Sequence, residues 1–152
     1  MKVIGFRCSP TCVRYAIVKI DASATKVKLL NASGENKLDY PNGTDEIVEK
    51  LVWLSKELDM LNHKHKDIDR VVIKTNEYTK DTKSKRITSY TEGIIMLAFA
   101  MSSVPVTTKT YTNLATSNRE VKVHAESRVG RTEKYWNSQM ADAVIAAWSG
   151  RR

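Results

Sequence analysis

Most of the side chains in this sequence that could do chemistry are cations. Lys and Arg number 25 against 17 Asp and Glu, for a formal net charge of +8, so polyanions are the partners such a surface attracts first. The cations gather in two stretches. Lys80, Lys83, Lys85 and Arg86 crowd the polar run from Glu77 to Arg86, and Arg119, Lys122, Arg128, Arg131 and Lys134 lie in a second run that is poor in apolar residues and contains Gly130. The first reads as a basic loop able to contact phosphates and the second as a mobile basic connection. A merely solvated basic surface is the competing reading. Tyr78, Tyr90, Tyr135 and Trp136 stand beside these stretches and could stack on bases, although Tyr90 and Trp136 would serve equally well in a core.

The soft donors are few. Cys8 and Cys12 are the only cysteines, and His63 and His65 form the only other cluster of metal-ligand type. A C-x3-C spacing matches no common zinc pattern, so these residues read as two reduced thiols and two solvated histidines near a helix end. There is no glycine-rich phosphate loop, and no Ser, His and Asp set stands out from chance. The longest apolar run, Gly93 to Met101, is too short to cross a bilayer, and the strand-like first residues leave no room for a signal peptide. The expectation is a cytoplasmic protein with no membrane contact. At 152 residues it should be a single domain spanning 1–152.

These side chains must be positioned by a short list of elements. Lys2 to Arg7 and Cys12 to Val18 are β-rich runs around a Ser-Pro-Thr turn, and the uncharged Val3, Ile4 and Phe6 mark a strand buried on both faces. Arg7 then sits at the edge of that core. Thr25 to Leu30 alternates as a third strand, and Asn31 to Gly43 reads as turns. Thr44 is placed to cap a helix whose stripe is Ile47, Leu51, Leu54, Leu58 and Leu61. Ile68 to Lys74 is an inner strand. From Ile87 a second helix shows Tyr90, Ile94, Leu97 and Met101 on one stripe, with Ile95, Met96 and Phe99 widening the face, and should be the most buried. Val104 to Thr108 offers a fifth strand, Tyr111 to Leu114 a helical turn, and Glu133 to Trp148 a terminal helix.

Three strands, helix, strand, helix, strand, helix is an order that resembles the RNase H-like superfamily, and within it the RuvC-type Holliday-junction resolvases and a small uncharacterised bacterial family of that type. The resemblance rests on Val3-Ile4-Gly5-Phe6-Arg7, on Val71-Val72-Ile73-Lys74 and on the stretch from Gln139 to Ala146. It implies an α/β, RNase H-like fold: a mixed five-stranded sheet, three antiparallel strands then two parallel additions, with helices on both faces. It also places the four metal-binding carboxylates of such resolvases on Arg7, Lys74, Gln139 and Asp142. Only Asp142 keeps the acid. Those nucleases clamp two divalent cations about 4 Å apart between carboxylates, and neither Arg nor Lys can supply an oxygen ligand.

The resemblance therefore implies a degenerate site in which Arg7 and Lys74 fill the space of the metals and Asp142 pairs with one of them. No catalytic residue and no cofactor are expected. The protein would bind nucleic acid through Arg7, Lys74 and the two basic stretches, and the dimeric resolvases make a homodimer the expected self-association. Two alternatives stand beside this one. The first is a Mg- or Mn-dependent nuclease with relocated ligands, Glu77 and Asp142 holding the metal with Asp81 or Glu92 in support. The second is a protein-interaction or assembly module on the same fold.

Overall fold

The computed structural model describes residues 1–151. Its sheet is built outward from β1 (Lys2–Cys8). This strand pairs antiparallel with β2 (Cys12–Ile20) and parallel with β5 (Arg70–Lys74), and β5 pairs parallel with β6 (Val106–Lys109). A strand flanked on both sides and covered on both faces has no wet residue until its end, which is why Val3 to Phe6 are all buried.

The sheet has six strands rather than five, because the outer edge of β2 is shared. β3 (Val27–Leu29) pairs with Val18 to Ile20, and β4 (Lys37–Asp39), in the stretch read as turns, pairs with Cys12 to Arg14. Between them the edge is completed by a side chain. Asn31 accepts the Ile17 N–H at 2.8 Å and donates to Tyr15 O at 3.2 Å, doing there what a neighbouring strand would do. A three-residue strand is too short for alternation to reveal it.

Helices cover both faces. Alternate residues of the central strands, Ile4, Phe6, Tyr15, Ile17, Val71 and Ile73, pack against α1 (Ile47–Lys64) and α2 (Lys83–Met101). Their neighbours, Val3, Ala16, Val18 and Val72, pack against α3 (Val121–Arg128) and α4 (Ser138–Ser149). Gly5 lies directly beneath α4. A Cβ there would sit 2.1 Å from Ala143 O and 2.4 Å from Ala147 N, so the helix can lie this close only on a glycine.

Several boundaries differ from expectation, each for a local reason. α1 starts at Ile47 with no side-chain cap, because the Thr44 hydroxyl donates to Pro41 O instead. α2 starts four residues early, at Lys83, capped by the Thr82 hydroxyl, which accepts the Lys85 N–H. Its buried face carries Ile87, Thr88, Thr91, Glu92, Ile95 and Phe99, and Tyr90, Leu97 and Met101 point outward. Thr88 and Thr91 can be buried because their hydroxyls donate to the carbonyls of Ser84 and Thr88 one turn back. α4 is the most buried helix, and it begins at Ser138, where the Asn137 side chain accepts the Met140 N–H. The stretch read as a mobile connection holds α3, tied down by fully buried Val121 and Ala125 at i and i+4. His65 follows α1 beside Lys2, at the opposite end of β1 from Cys8, so the two histidines and two cysteines do not form one site. No helix among the described residues is long and apolar enough to cross a membrane.

Candidate functional site

Register assembles the site. Arg7, near the end of β1, stands opposite Arg14 of β2 on one side and Lys74 of β5 on the other, so three cations lie side by side on the face that α4 covers. Neighbouring strands are about 4.8 Å apart, a spacing at which like charges repel unless acids are brought among them.

α4 supplies part of the compensation from one turn. Asp142 Oδ2 lies 3.0 Å from Arg7 Nε, with the two side chains 1% and 13% exposed. Gln139, one turn earlier, accepts Arg14 Nη1 at 2.6 Å, and that nitrogen is also 2.9 Å from Cys12 Sγ. The Arg7–Asp142 contact is chiefly Coulombic. Arg7 Nε and Nη1 and Asp142 Oδ1 are buried and have no hydrogen-bond partner.

Lys74 is compensated separately. Its ammonium is fully enclosed, 2.6 Å from Glu77 Oε2 and 2.7 Å from Thr75 O, with the Tyr111 ring centroid 3.8 Å away. Tyr111 ties the two halves of the site together. Its hydroxyl donates to Asp142 Oδ2 at 3.1 Å and its N–H to Glu77 at 3.0 Å. From the other face of the sheet α2 brings Glu92, which accepts the Asn76 N–H at 2.7 Å.

Burial dominates the proton equilibria. It raises Asp142 above the ordinary carboxylate range despite Arg7, the Tyr111 hydroxyl and Lys74, and it raises Glu92 despite the Asn76 N–H and the same two cations. Burial also lowers Lys74 against the pull of Glu77. Glu77 is the exception. Burial pushes it up, but the Lys74 hydrogen bond, the Tyr111 N–H and the cations carry it below its usual value. Cys8, buried beside Glu92, is raised to about 12 and is an inert thiol.

The four positions singled out from sequence, Arg7, Lys74, Gln139 and Asp142, are thus brought together. Of the three acids considered as substitutes, Glu77 and Glu92 join them, whereas Asp81 is exposed and pairs with Arg86 at 2.8 Å. Arg14 and Tyr111 were missed. Arg14 had a signal, since a hairpin closed between Cys8 and Cys12 sets it opposite Arg7; Tyr111 had none, because it arrives on the loop after β6. The remaining basic residues do not touch the cluster. Lys83, Lys85 and Arg86 form the first turn of α2, Lys80 is exposed before it, and Arg119, Lys122, Arg131 and Lys134 are exposed around α3 and before α4. Arg128 lies over the Trp148 ring.

Divalent cations do not fit this arrangement. The carboxylates approach Arg7 and Lys74 from different sides, and among the described residues no three His, Cys, Asp or Glu side chains converge on one point. A metal between Glu77 and Asp142 would have to displace both cations.

No protein-family model matches the sequence, and no curated protein matches it. Solved structures do. The chain is similar to RuvC of Thermus thermophilus, with a TM-score of 0.78 at 17% identity, covering 98% of this chain and 92% of that one. It is equally similar to T. thermophilus RuvC in complex with a Holliday junction substrate, with a TM-score of 0.76, 20% identity and the same 98% and 92% coverage. It is also similar to the yeast mitochondrial Holliday junction resolvase Ydc2, with a TM-score of 0.59 and 13% identity over 98% of this chain and 79% of that one. The fold is RNase H-like, of the RuvC type.

Proposed function

We propose that this protein binds nucleic acid without cutting it, on a RuvC-like scaffold whose metal-binding centre has become an ion-pair network. The observation that carries the reading is the Arg7–Asp142 pair, 3.0 Å apart and enclosed by α4. It sets a guanidinium against the one acid retained where resolvases of this type hold metal. The solved neighbours include resolvases in complex with Holliday junction DNA, and the surplus of cations suits a phosphate backbone. Because Lys74 is fully enclosed and Arg7 is nearly so, the contact surface of this reading is the exposed Lys83 and Arg86 of the first turn of α2 and Arg131 and Lys134 of the loop before α4, with Arg7 behind them.

The test is retention and cleavage of labelled branched, duplex and single-stranded DNA and RNA, with and without Mg²⁺ or Mn²⁺, at two salt concentrations. Retention that falls steeply with salt and leaves the strands intact in every metal condition is expected. Joint replacement of Lys83, Arg86, Arg131 and Lys134 by Gln should weaken retention at least about tenfold and flatten the salt slope by roughly one for each phosphate that is no longer neutralised. Metal-dependent cleavage would overturn the reading in favour of a nuclease with relocated ligands. Absence of retention would favour a protein-interaction module.

This reading includes a cytoplasmic location and a homodimer. What supports the dimer is the apolar stripe that α2 turns outward, with Tyr90 51%, Leu97 56% and Met101 78% exposed. Sedimentation velocity should show a dimer that Leu97→Asp converts to monomer with little change in thermal stability. A monomeric wild-type protein at tens of micromolar would count against self-association.

A further inference from the structure

The row of cations at the end of the sheet does not stop at Arg14. In register with Arg14, β4 adds Lys37 to Lys74, Arg7 and Arg14, two strand spacings or about 10 Å from Arg7. There the row opens into a pocket of about 330 Å³, a size that suits a small ligand. One wall is the turn into β4, with Gly34, Glu35, Asn36 and Lys37, and the other is the loop before α4, with Lys134 and Tyr135. The walls are fixed to each other and within themselves. The Glu133 N–H donates to Ala32 O at 2.8 Å, and the hydroxyl of buried Thr132 donates to Lys134 O at 2.8 Å.

Burial does not account for the conformation of Tyr135. The residue is 54% exposed, yet its backbone takes a φ of 61°, a left-handed conformation that a bulky side chain rarely adopts. Such strain persists where the surroundings hold it, here through the Thr132 hydroxyl on the carbonyl that precedes Tyr135. The Lys37 ammonium lies 4.2 Å from the ring centroid and steadies the ring from one side. Asn36 is 2% exposed, and its Oδ1 and Nδ2 are both buried without a hydrogen-bond partner, a costly state for an amide. The pocket is not built for an anion alone. Lys37 is already paired with Asp39 at 3.0 Å, and the exposed Glu35 is part of the wall. An exposed ring, an amide with one donor and one acceptor side, and the exposed Lys134 beside them match instead the flat face, the polar edge and the phosphate of a nucleotide.

We propose that this pocket takes one unpaired nucleobase of a bound strand, stacked on Tyr135 with its edge toward Asn36 and its backbone along Lys134. The proposal rests on the nucleic-acid reading above and narrows it, because a base inside a duplex is stacked on both faces and cannot enter a pocket. The targets are then strands that carry a bulged, flipped or single-stranded base. Asn36 lies just beneath the pocket surface, and a turn of its side chain offers the base one donor and one acceptor, the pattern with which asparagine reads an adenine edge. A free nucleotide offers the same chemistry, and the experiment separates the two sources.

Affinity is measured at one salt concentration for a duplex, for the same duplex with one bulged base and for one with an abasic residue in the bulge. Binding of the bulged base about fivefold or more tighter than of the abasic bulge is expected. Tyr135→Gly should abolish the difference without loss of thermal stability, since glycine suits a φ of 61°, and Tyr135→Phe should keep it. Equal affinity for the bulged base and the abasic bulge would overturn the assignment, as would a difference that survives in folded Tyr135→Gly. A second readout needs no variant. Each of the four nucleoside monophosphates is titrated into the wild-type protein while the NMR signals of the Asn36 side-chain amide are followed. These signals should move with at least one nucleotide and stay in place with inorganic phosphate at the same ionic strength. If no strand binds but a nucleotide moves them, the pocket stands as a site for free nucleotides and the nucleic-acid reading fails. If strands bind with no preference for the bulged base and no nucleotide moves the signals, only the pocket assignment fails.

Discussion

Asp142→Asn is expected to destabilise the protein by about 3–5 kcal/mol, and Arg7→Gln by clearly less. Removing the carboxylate leaves a guanidinium that cannot shed its charge, enclosed beside Arg14 and Lys74. Removing the guanidinium leaves a buried acid that can neutralise itself by taking a proton, and Asp142 is already raised in that direction. The pair also has a pH signature. Because burial holds Asp142 protonated above the unfolded carboxylate value of 3.8, the native state binds more protons than the unfolded state in the interval just above that value. Stability therefore falls as pH climbs through the interval and levels off above the raised pKa. Glu92, also raised, acts with the same sign. Lys74, lowered from 10.5, acts with the opposite sign and higher on the scale, with stability rising as pH climbs from its depressed value towards 10.5. Without Arg7 the interval for Asp142 widens, so Arg7→Gln should lose more stability between about pH 4 and pH 7 than the wild type does, whereas Asp142→Asn should lose less. Urea unfolding of the three proteins across that range measures the carboxylate effects. A larger loss from Arg7→Gln than from Asp142→Asn at neutral pH would mean that Asp142 does not balance Arg7.

Gly5→Ala is expected to leave little folded protein. The added methyl would meet Ala143 O at 2.1 Å and Ala147 N at 2.4 Å, both backbone atoms of a helix that cannot yield locally. α4 would have to lift from the central strand, opening the core it forms with Val3, Ala16 and Val72 and carrying Asp142 away from Arg7. A cost of about 3 kcal/mol or more is expected. Gly93→Ala provides the contrast, since a Cβ at Gly93, inside α2, meets nothing within 4 Å. There the better helix former should be neutral or stabilising by up to about 1 kcal/mol. Thermal melts followed by circular dichroism compare the two. A Gly5→Ala protein melting like the wild type would show that α4 does not lie on β1 at this distance.

The resemblance to RuvC-type resolvases implied the antiparallel-then-parallel order of the sheet and singled out Arg7, Lys74, Gln139 and Asp142, while the sequence by itself determined the central strands. These were legible because a strand covered on both faces is written as an unbroken apolar run, and the end of such a run locates the first residue outside the core. Only the tertiary structure decided what surrounds those positions. β4 is three residues long, and the edge of β2 between it and β3 is completed by the Asn31 side chain, which has no periodic signature. The inward face of α2 carries Ile95 and Phe99, which apolar spacing included, beside Thr88 and Thr91, whose hydroxyls are satisfied within the helix and which apolar spacing passes over. α3 is held by two small apolar contacts in a run that otherwise reads as loop. Arg14, Glu77, Glu92 and Tyr111 reach the site from four separate segments. Charge balance is a sum over neighbours in space. The resemblance assigned Arg7 and Lys74 to positions of acids in resolvases of this type, but strand register and helix docking decided which acids stand beside those cations here.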